Sequence, residues 1–269
     1  MDGHLARKGV ALVGCGRMGS ALLSGWLARG LPPGAVWVTE PAPSDWLTAS
    51  GVHLNAGLPG APAVVLVAVK PQMMTDALPG LAALGGGDTV VLSVAAGVPL
   101  SAYEAAFGPA TPIVRAMPNT PAAIGRGITA LVGNSAAGTG ALDLAERLMA
   151  AVGETVRLDD EGQMDAVTAV SGSGPAYVFH MIEAMAAAGV AEGLPEDLAM
   201  RLARATVAGA GALADGDAAA AETLRRNVTS PGGTTQAGLE VLMDAETGLP
   251  PLMRATVAAA AARSRALGA

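Results

Sequence analysis

The sequence predicts an α/β protein with an N-terminal, Rossmann-type doubly wound sheet and a C-terminal all-helical domain. Short apolar segments alternate with helical segments as far as residue 158, which is typical of a parallel sheet with covering helices. A glycine-rich motif directly follows the first apolar segment. From residue 163 onward, long stretches of Ala, Leu, Met and Val contain no convincing strand. The polar segment 159–162 separates the two patterns, so we predict domains at residues 1–160 and 161–269.

The predicted strands are short apolar runs that end in turn residues. They lie at residues 10–13, 35–39, 63–69, 89–95, 113–116, 128–132 and 155–158. Gly30 closes the first predicted helix. Helices fit between several strands, at residues 18–29, 73–84 and 137–151. In the second domain, the helical pattern is broken at residues 171–175, 193–195, 215–217, 230–233 and 248–251.

Composition and charge exclude several classes of protein. Of 269 residues, 23 are acidic and 16 are basic, and no basic cluster exceeds a pair. We therefore expect no nucleic-acid partner. Neither a secretory signal peptide nor a membrane span is expected. Because Cys15 is the single cysteine, an intramolecular disulfide is ruled out and a reducing compartment, the cytoplasm, is expected.

Small apolar side chains dominate the hydrophobic content of 51%, whereas aromatic residues make up only 3%. Such a composition allows close helix packing and leaves apolar faces exposed, which a homo-oligomer would cover. A general compositional bias toward alanine is the alternative explanation.

A Gly-x-Gly-x-x-Gly motif lies between the first predicted strand and the first predicted helix, as a dinucleotide-binding fingerprint requires. Gly14 permits the tight turn, Gly16 lets the backbone approach the pyrophosphate, and Gly19 lets helix and strand pack closely. We assign these glycines, together with Arg17 and Met18, to the cofactor. The alternative is a glycine-rich turn that only packs.

An acidic residue follows the second predicted strand, at a position that bears on the choice of cofactor. Glu40 lies 21 residues after Gly19, where a carboxylate accepts a hydrogen bond from the ribose 2′-hydroxyl. A 2′-phosphate would be repelled there unless Arg17 or Ser44 compensates. Glu40 alone slightly favours NADH, but NADPH stays open, and so does a solvated acid without a role.

Two further loops follow the third and fourth predicted strands, at the end of the sheet where open α/β proteins bind ligands. We expect the first to line the adenosine half of the cofactor and the second the nicotinamide half. A proline-braced loop after the fifth strand suits the floor under the nicotinamide ring or is a rigid connector. Lys70 is either an electrostatic contact or a surface lysine. The residues assigned here are Val69, Lys70, Pro71, Ala95, Ala96, Gly97, Met117, Pro118 and Asn119.

A turn of Ser, Pro and Gly joins two helical segments near the C-terminus, at residues 230–233. The helix predicted from Thr234 to Met243 begins with backbone N–H groups that lack partners, and such a helix start binds anions. Hydroxyls of Ser230, Thr234 and Thr235 lie beside it. The turn therefore suits a small carboxylate, and with the cofactor motif it indicates a reductase of a small acid.

These motifs together resemble those of pyrroline-5-carboxylate reductases, and the resemblance covers nearly the whole chain. It implies an N-terminal Rossmann domain and a helical dimerisation domain that interlocks with its partner. Dimers of this family often assemble further, commonly into decamers. The segments that carry the resemblance are residues 14–19, 69–71, 93–97, 115–121, 171–177 and 230–235.

The resemblance also implies roles for individual residues of the late turn. Ser230, Gly232, Gly233 and Thr234 would hold the substrate carboxylate, and the hydroxyl of Thr235 would meet the ring nitrogen as the catalytic contact.

Near the expected cofactor site, two asparagines match the family pattern and two other residues differ from it. Asn55 and Asn227 match asparagines near the cofactor, and Asn227 is expected to reach it across the dimer. The family usually uses NADPH, and some members use NADH. Glu40 stands where relatives have Ser or Thr, and Arg226 where they have an acid, so the resemblance leaves the choice between NADPH and NADH open.

The expected reaction is the NAD(P)H-dependent reduction of Δ1-pyrroline-5-carboxylate to L-proline, the last step of proline biosynthesis. No metal site is expected. A β-hydroxyacid dehydrogenase would share the two-domain layout, but it relies on a lysine in the helical domain, and no lysine follows Lys70. A redox-sensing regulator without catalysis would keep the glycine loop but would not need the turn at residues 230–235.

Overall fold

The computed structural model describes residues 3–268 and contains one eight-stranded sheet. The strands are β1 (Val10–Val13), β2 (Val36–Thr39), β3 (His53–Leu54), β4 (Val64–Val67), β5 (Val90–Ser93), β6 (Ile113–Met117), β7 (Gly127–Gly133) and β8 (Gly153–Arg157). Their order is β3-β2-β1-β4-β5-β6-β7-β8. Every neighbouring pair is parallel except β6 and β7, which are antiparallel.

Helices follow most strands and then form the whole C-terminal part of the described chain. The helices up to residue 167 are α1 (Gly3–Lys8), α2 (Arg17–Ala28), α3 (Asp45–Ala49), α4 (Met74–Ala77), α5 (Leu100–Phe107), α6 (Gly138–Met149) and α7 (Met164–Val167). The later helices are α8 (Gly174–Ala191), α9 (Glu196–Gly216), α10 (Ala221–Asn227), α11 (Thr234–Leu242) and α12 (Leu249–Gly268). Short 3₁₀ helices lie at Pro33–Ala35, Pro71–Met73, Pro79–Leu84, Thr120–Ile124, Ala150–Val152 and Glu161–Gln163, and a π-helical turn at Thr168–Gly172.

The central strands are buried on both faces, which is why they consist of unbroken apolar runs. Alternate side chains enter two different cores. Leu12 and Leu66 pack with Trp26 in one core, whereas Val65 packs with Tyr103 in the other. Because a slip of one residue would exchange the two sets, these cores fix the register of the sheet.

The prediction of a doubly wound, mainly parallel sheet is confirmed, and the seven predicted strands lie within two residues of their expected bounds. Two details differ. The sequence analysis missed β3, which spans only two residues. Strand β7 runs antiparallel to β6, because residues 118–126 are too few for a crossover connection, which takes about a dozen or more.

Two helix predictions also need correction. The helix expected at residues 73–84 is divided into α4 and 3₁₀ turns, because Pro79 has no N–H to continue an α-helix. The break expected at residues 248–251 lies earlier, since α12 begins at Leu249. Pro250 and Pro251 occupy its first turn, where a missing N–H leaves no helical bond unmade.

The chain divides into two compact units. The first unit runs to Gly172 and includes the chain from Ala260 onward, and the second unit is Ser173–Ala259. The domain boundary predicted from the sequence lies at residue 160, whereas the first compact unit extends to Gly172. Within the first unit, Glu161 accepts hydrogen bonds from the Leu100 N–H at 2.7 Å and from the Arg115 guanidinium. These bonds tie the start of the predicted second domain to the sheet.

The second unit is helical throughout and has a small core. Ala186, Ala199 and Ala203 are buried between α8 and α9, with Ile182 and Met200 packed against them. Many large apolar side chains of this unit are exposed in the single chain, among them Phe179, Leu202, Leu213, Val241 and Leu252. Among residues 3–268, no helix is long and apolar enough to cross a membrane.

Candidate active site

The glycine loop joins β1 to α2, and two of its glycines are required by the protein itself. Gly14 has a φ angle of +90°, and a Cβ there would lie 2.8 Å from the Ala68 carbonyl oxygen. A Cβ on Gly19 would lie 2.4 Å from the Gly14 carbonyl oxygen. The loop can therefore be this tight, and α2 this close to it, only with glycine at both positions.

Gly16 has a different explanation, which points to a ligand. Its φ angle is −67°, which any residue adopts, and a Cβ there would meet no atom within 4 Å. Neither backbone strain nor packing within the chain requires glycine, so the open space in front of Gly16 is free for a close ligand. Helix α2 begins at the next residue with no side-chain cap and no acidic residue in its first turn. Its first N–H groups and this space fit the pyrophosphate of a dinucleotide.

A cleft of about 570 Å³ opens beside this loop, at the carboxyl ends of the first strands. Several of the predicted cofactor residues share it, which agrees with their position at the ends of β1, β2 and β4. Apolar side chains form much of the remaining wall. Residues that line it include Gly14, Gly16, Glu40, Leu58, Val69 and Lys70.

The other residues predicted near this loop lie around the cleft without lining it. Arg17 is exposed at the first position of α2. Met18 is half-buried and packs against the core that contains Trp26. Pro71 opens the 3₁₀ helix that follows Lys70. Met18 therefore supports the helix, whereas the Arg17 side chain lies outside the core.

Glu40 follows β2 directly, and hydrogen bonds hold its carboxylate. One oxygen, Oε2, accepts the Cys15 N–H of the glycine loop at 2.7 Å, and Oε1 accepts the Ala42 N–H at 3.0 Å. The Asn55 side chain binds the Glu40 backbone through two hydrogen bonds of 3.0 Å. Ser44 is already used as the cap of α3, since its Oγ accepts the Leu47 N–H at 3.2 Å.

The loop after β5, predicted to line the nicotinamide half, rests on a buried network. The Ala95 N–H donates to Ser93 Oγ at 3.2 Å, and that hydroxyl lies 2.5 Å from the Tyr103 hydroxyl. Burial raises the pKa of Tyr103 to about 12, although the bond to Ser93 and the nearby Arg115 oppose the shift. Tyr103 is therefore neutral in the usual pH range and serves as a hydrogen-bonding support.

The glycine at position 97 is explained by packing within the first unit. Gly97 has a φ angle of +77°, and a Cβ there would lie 3.0 Å from Cβ of Leu267 in α12. Ala96, beside it, is half-buried. The end of α12 therefore covers this loop, and a cofactor contact of Ala96 and Gly97 stays a prediction.

The proline-braced loop lies between β6 and β7. Met117 ends β6, and its methyl carbon lies 2.6 Å from where a Cβ of Gly172 would be, so a larger residue at position 172 would require the Met117 side chain to move. Pro118 is buried. Asn119 accepts the Ile128 N–H through Oδ1 at 3.0 Å, so its carbonyl group ties the loop to β7.

One hydroxyl near this loop was not among the predicted site residues. Ser171 Oγ is buried and has no hydrogen-bond partner within the part of the chain that the structure describes. The motif of alternating Ser and Gly at residues 171–174 was the sequence signal for it. A buried hydroxyl without a partner is uncommon in folded proteins.

The late turn lies in the second unit, directly before α11. Gly232 has a φ angle of +70°, and the Gly233 N–H donates to the Ser230 carbonyl oxygen at 3.0 Å. A Cβ on Gly233 would lie 2.4 Å from Ser230 Oγ, so glycine allows this hydroxyl to approach the helix start. Helix α11 begins at Thr234 without a side-chain cap and without an acidic residue in its first turn.

The structure brings most of the predicted carboxylate-binding residues together at this helix start. Ser230, Thr234 and Thr235 are all exposed there in the single chain. The Gly232 N–H is already engaged, because it donates to Gln236 Oε1 at 2.8 Å. Gln236 was not among the predicted site residues, and the signal in the sequence was an amide side chain four residues after Gly232.

The remaining predicted residue, Asn227, is exposed at the end of α10. Its neighbour Arg226 forms an ion pair with Glu222 at 3.6 Å, one turn earlier in the same helix. The charge at Arg226 is therefore partly balanced within α10. The structure places Asn227 in the second unit and Asn55 in the first.

The sheet order, the glycine loop and the cleft at the strand ends define a nicotinamide-dinucleotide oxidoreductase with an added helical unit. Residues 9–97 match a family model described as NADP oxidoreductase, coenzyme F420-dependent, and residues 161–267 match pyrroline-5-carboxylate reductase dimerisation. The chain is 37% identical to the pyrroline-5-carboxylate reductase of Pseudomonas aeruginosa over 264 residues, which is 96% of each protein. The chain therefore belongs to the pyrroline-5-carboxylate reductase family.

Solved structures agree with this assignment. The pyrroline-5-carboxylate reductase of Coxiella burnetii has a TM-score of 0.90 and 34% identity, covering 97% of this chain and 99% of that one. The pyrroline carboxylate reductase of Plasmodium falciparum, solved with NADP bound, has a TM-score of 0.84 and 26% identity, covering 98% and 99%.

Family membership confirms the expected class of reaction. The chain is an oxidoreductase of proline biosynthesis that reduces pyrroline-5-carboxylate to proline with NAD(P)H. The C-terminal part is a dimerisation domain, so the chain forms homo-oligomers. Its substrate is a small molecule. The exposed apolar side chains of the second unit are consistent with a surface that a second copy covers.

Proposed function

We propose that the turn at residues 230–235 holds the carboxylate of pyrroline-5-carboxylate while the cleft beside Gly14 holds NAD(P)H. The observation that carries this proposal is the uncapped start of α11, where Ser230 Oγ approaches Gly233 and no acidic residue occupies the first turn. The partial positive charge of a helix N-terminus stabilises an anion at this point. Ser230, Gly232, Gly233 and Thr234 then hold the carboxylate, with the two glycines forming the turn that brings the Ser230 hydroxyl to the helix start.

In this proposal, Thr235 is the contact to the reacting atoms. Its hydroxyl hydrogen-bonds to the ring nitrogen, so that the protonated imine is held in one orientation. When bound, NAD(P)H supplies the hydride that adds to the C5 carbon, while the C=N double bond becomes a single bond and the nitrogen keeps its proton. The residues mainly orient the two reactants, which accounts for a site without an obvious acid or base.

The remaining assignments to the cofactor belong to the same proposal. Gly14, Gly16, Gly19 and Arg17 lie at the pyrophosphate, and Glu40 lies at the adenosine ribose. The further cofactor residues of the proposal are Met18, Asn55, Val69, Lys70, Pro71, Ala95, Ala96, Gly97, Met117, Pro118, Asn119 and, across the dimer, Asn227.

A substitution at Thr235 tests the proposal most directly. Thr235→Ala should lower kcat/KM for pyrroline-5-carboxylate about tenfold to a hundredfold, because one hydrogen bond to a charged group is lost. The dissociation constant of NAD(P)H should stay the same, and Thr235→Ser should retain most of the activity. Thr206→Ala, at an exposed position of α9, is the matched control. Wild-type turnover by Thr235→Ala would contradict the assignment.

We also propose that the dimers assemble further into a decamer, as the family resemblance implies. The enzyme is proposed to act in the cytoplasm. The free thiol of the single cysteine, Cys15, supports the location. A mass measurement in solution distinguishes two copies from ten.

A further inference from the structure

We propose that this enzyme binds NADH in preference to NADPH, because Glu40 is held where it recognises the ribose 2′-hydroxyl. The inference rests on the proposed cofactor site and concerns which nucleotide that site accepts. It is carried by the hydrogen bonds of Glu40 and Asn55 and by the position of both residues beside the glycine loop.

The Glu40 carboxylate is fixed toward the loop that would hold the pyrophosphate. Its Oε2 accepts the Cys15 N–H at 2.7 Å, and its Oε1 accepts the Ala42 N–H at 3.0 Å. An ionised carboxylate offers about four lone-pair sites, so further capacity to accept hydrogen bonds remains. A ribose hydroxyl beside the loop can donate to it, and the cleft is open at this carboxylate.

Asn55 fixes the backbone from which this carboxylate extends. Its Oδ1 accepts the Glu40 N–H and its Nδ2 donates to the Glu40 carbonyl oxygen, both at 3.0 Å. The Asn55 N–H donates to the Val38 carbonyl oxygen of β2 at 2.8 Å. Asn55 has a φ angle of +51°, a conformation that asparagine tolerates better than most residues. Asn55 is therefore a positioning residue, and Glu40 cannot easily withdraw from the loop.

A 2′-phosphate would meet the wrong chemistry at this position. A phosphate monoester carries a charge of about −1.5 to −2 at neutral pH and oxygens that mainly accept hydrogen bonds. The Glu40 carboxylate also accepts hydrogen bonds only, so the two groups repel each other. Ser44 has its Oγ at the cap of α3. Positive charge near the cleft comes from the exposed Arg17 and from Lys70, whereas the combined charge of Glu40 and a 2′-phosphate is about −2.5 or more negative.

Equilibrium titration of the purified enzyme with NADH and with NADPH, without pyrroline-5-carboxylate, tests the inference. Wild-type enzyme should bind NADH on the order of tenfold more tightly, which corresponds to one hydrogen bond to a charged group. Equal affinity, or tighter binding of NADPH, would overturn the preference while leaving the cofactor site intact. Binding of neither nucleotide would overturn the cofactor site and the preference with it.

Variants separate the role of Glu40 from general effects on folding. Glu40→Ser should weaken NADH binding about tenfold and strengthen NADPH binding, so that the ratio of the two dissociation constants is lost or inverted. Glu40→Gln, which keeps the shape and one acceptor oxygen, should move the same ratio in the same direction. Glu192→Gln, at an exposed position of the second unit, is the charge-matched control. An unchanged ratio in both Glu40 variants would refute the inference.

The positioning role of Asn55 has its own readout. Asn55→Gly keeps the positive φ angle accessible and removes the two side-chain bonds to Glu40. The ratio of the NADPH and NADH dissociation constants should approach unity, whereas a purely structural role would weaken both nucleotides equally. A proportional loss for both nucleotides would assign Asn55 to the fold alone.

Discussion

The two units of this chain bury their apolar side chains to very different degrees. In the first unit, the central strands and residues such as Trp26 and Tyr103 are completely buried within a single chain. In the second unit, Phe179 is 60% exposed and Leu213 is 68% exposed, and the buried core consists of three alanines. The first unit is therefore stabilised by its own packing, whereas the second requires contacts outside itself to cover its apolar surface.

The same contrast separates the residues proposed for the cofactor from those proposed for the substrate. The cofactor loop and cleft are held by bonds and packing within the first unit, such as the bond from Cys15 to Glu40. The turn proposed to hold the carboxylate lies at the exposed start of α11 in the second unit. We infer that cofactor binding depends mainly on the fold of one chain, and that substrate binding depends more strongly on assembly.

The largest expected effect comes from opening the core of the first unit. Trp26→Ala removes a fully buried side chain and leaves the Leu148 carbonyl oxygen without the 2.9 Å bond from the indole N–H. The free energy of unfolding should fall by about 3–5 kcal/mol. Leu213→Ala in α9, measured at protein concentrations where the chains are separate, should change it by about 0.5 kcal/mol or less. Denaturant unfolding of both variants measures the difference, and equal losses would contradict the contrast between the units.

A smaller effect is expected from the exposed face of the second unit. Phe179→Asp places a charge in α8 among apolar side chains that a second copy would cover, and should weaken self-association by about 2 kcal/mol or more. Mass in solution should fall at low protein concentration while helical circular dichroism stays unchanged. Phe179→Leu is the control and should retain assembly. An aspartate variant with wild-type assembly would remove Phe179 from the interface.

The smallest effect concerns the hydrogen bonds that support the loop after β5. Tyr103→Phe removes the hydroxyl that lies 2.5 Å from Ser93 Oγ and should cost about 1 kcal/mol of unfolding free energy near neutral pH.

Alkaline pH gives a second test of the same residue. The pKa of Tyr103 is raised from 10.0 to about 12 by burial, so its folded state holds the proton more tightly than its unfolded state. Its contribution to stability is complete below pH 10 and is lost as the pH rises toward 12. Unfolding measured across this range should show a steeper loss of stability in wild type than in Tyr103→Phe. If stability fell equally steeply with pH in both proteins, the raised pKa of Tyr103 would not be the cause.

Much of the fold was predictable because its signals are local. The glycine spacing at Gly14, Gly16 and Gly19, set between an apolar run and a helical run, indicates a dinucleotide loop without knowledge of any distant contact. The uncapped helix start at Thr234 was predictable in the same way, from Pro and Gly before a helical segment. Motifs of this kind also carried the resemblance that the comparisons confirmed.

Other features depended on residues that are distant in sequence. The pairing of β6 with β7, the bond between Glu40 and Cys15, and the support of Ser93 by Tyr103 each join segments whose proximity no local pattern reveals. The bond of 2.6 Å from Ser264 to Asp165 joins residues 99 positions apart within the first unit.

The amino-acid sequence by itself determined the class of fold, the glycine loop and the family, because backbone conformation and apolar periodicity are properties of neighbouring residues. Only the tertiary structure decided which side chains hold the loops in place and which glycines serve packing rather than a ligand. Those features arise from the close approach of separate segments, and the distances between them are set by the packed cores on both faces of the sheet.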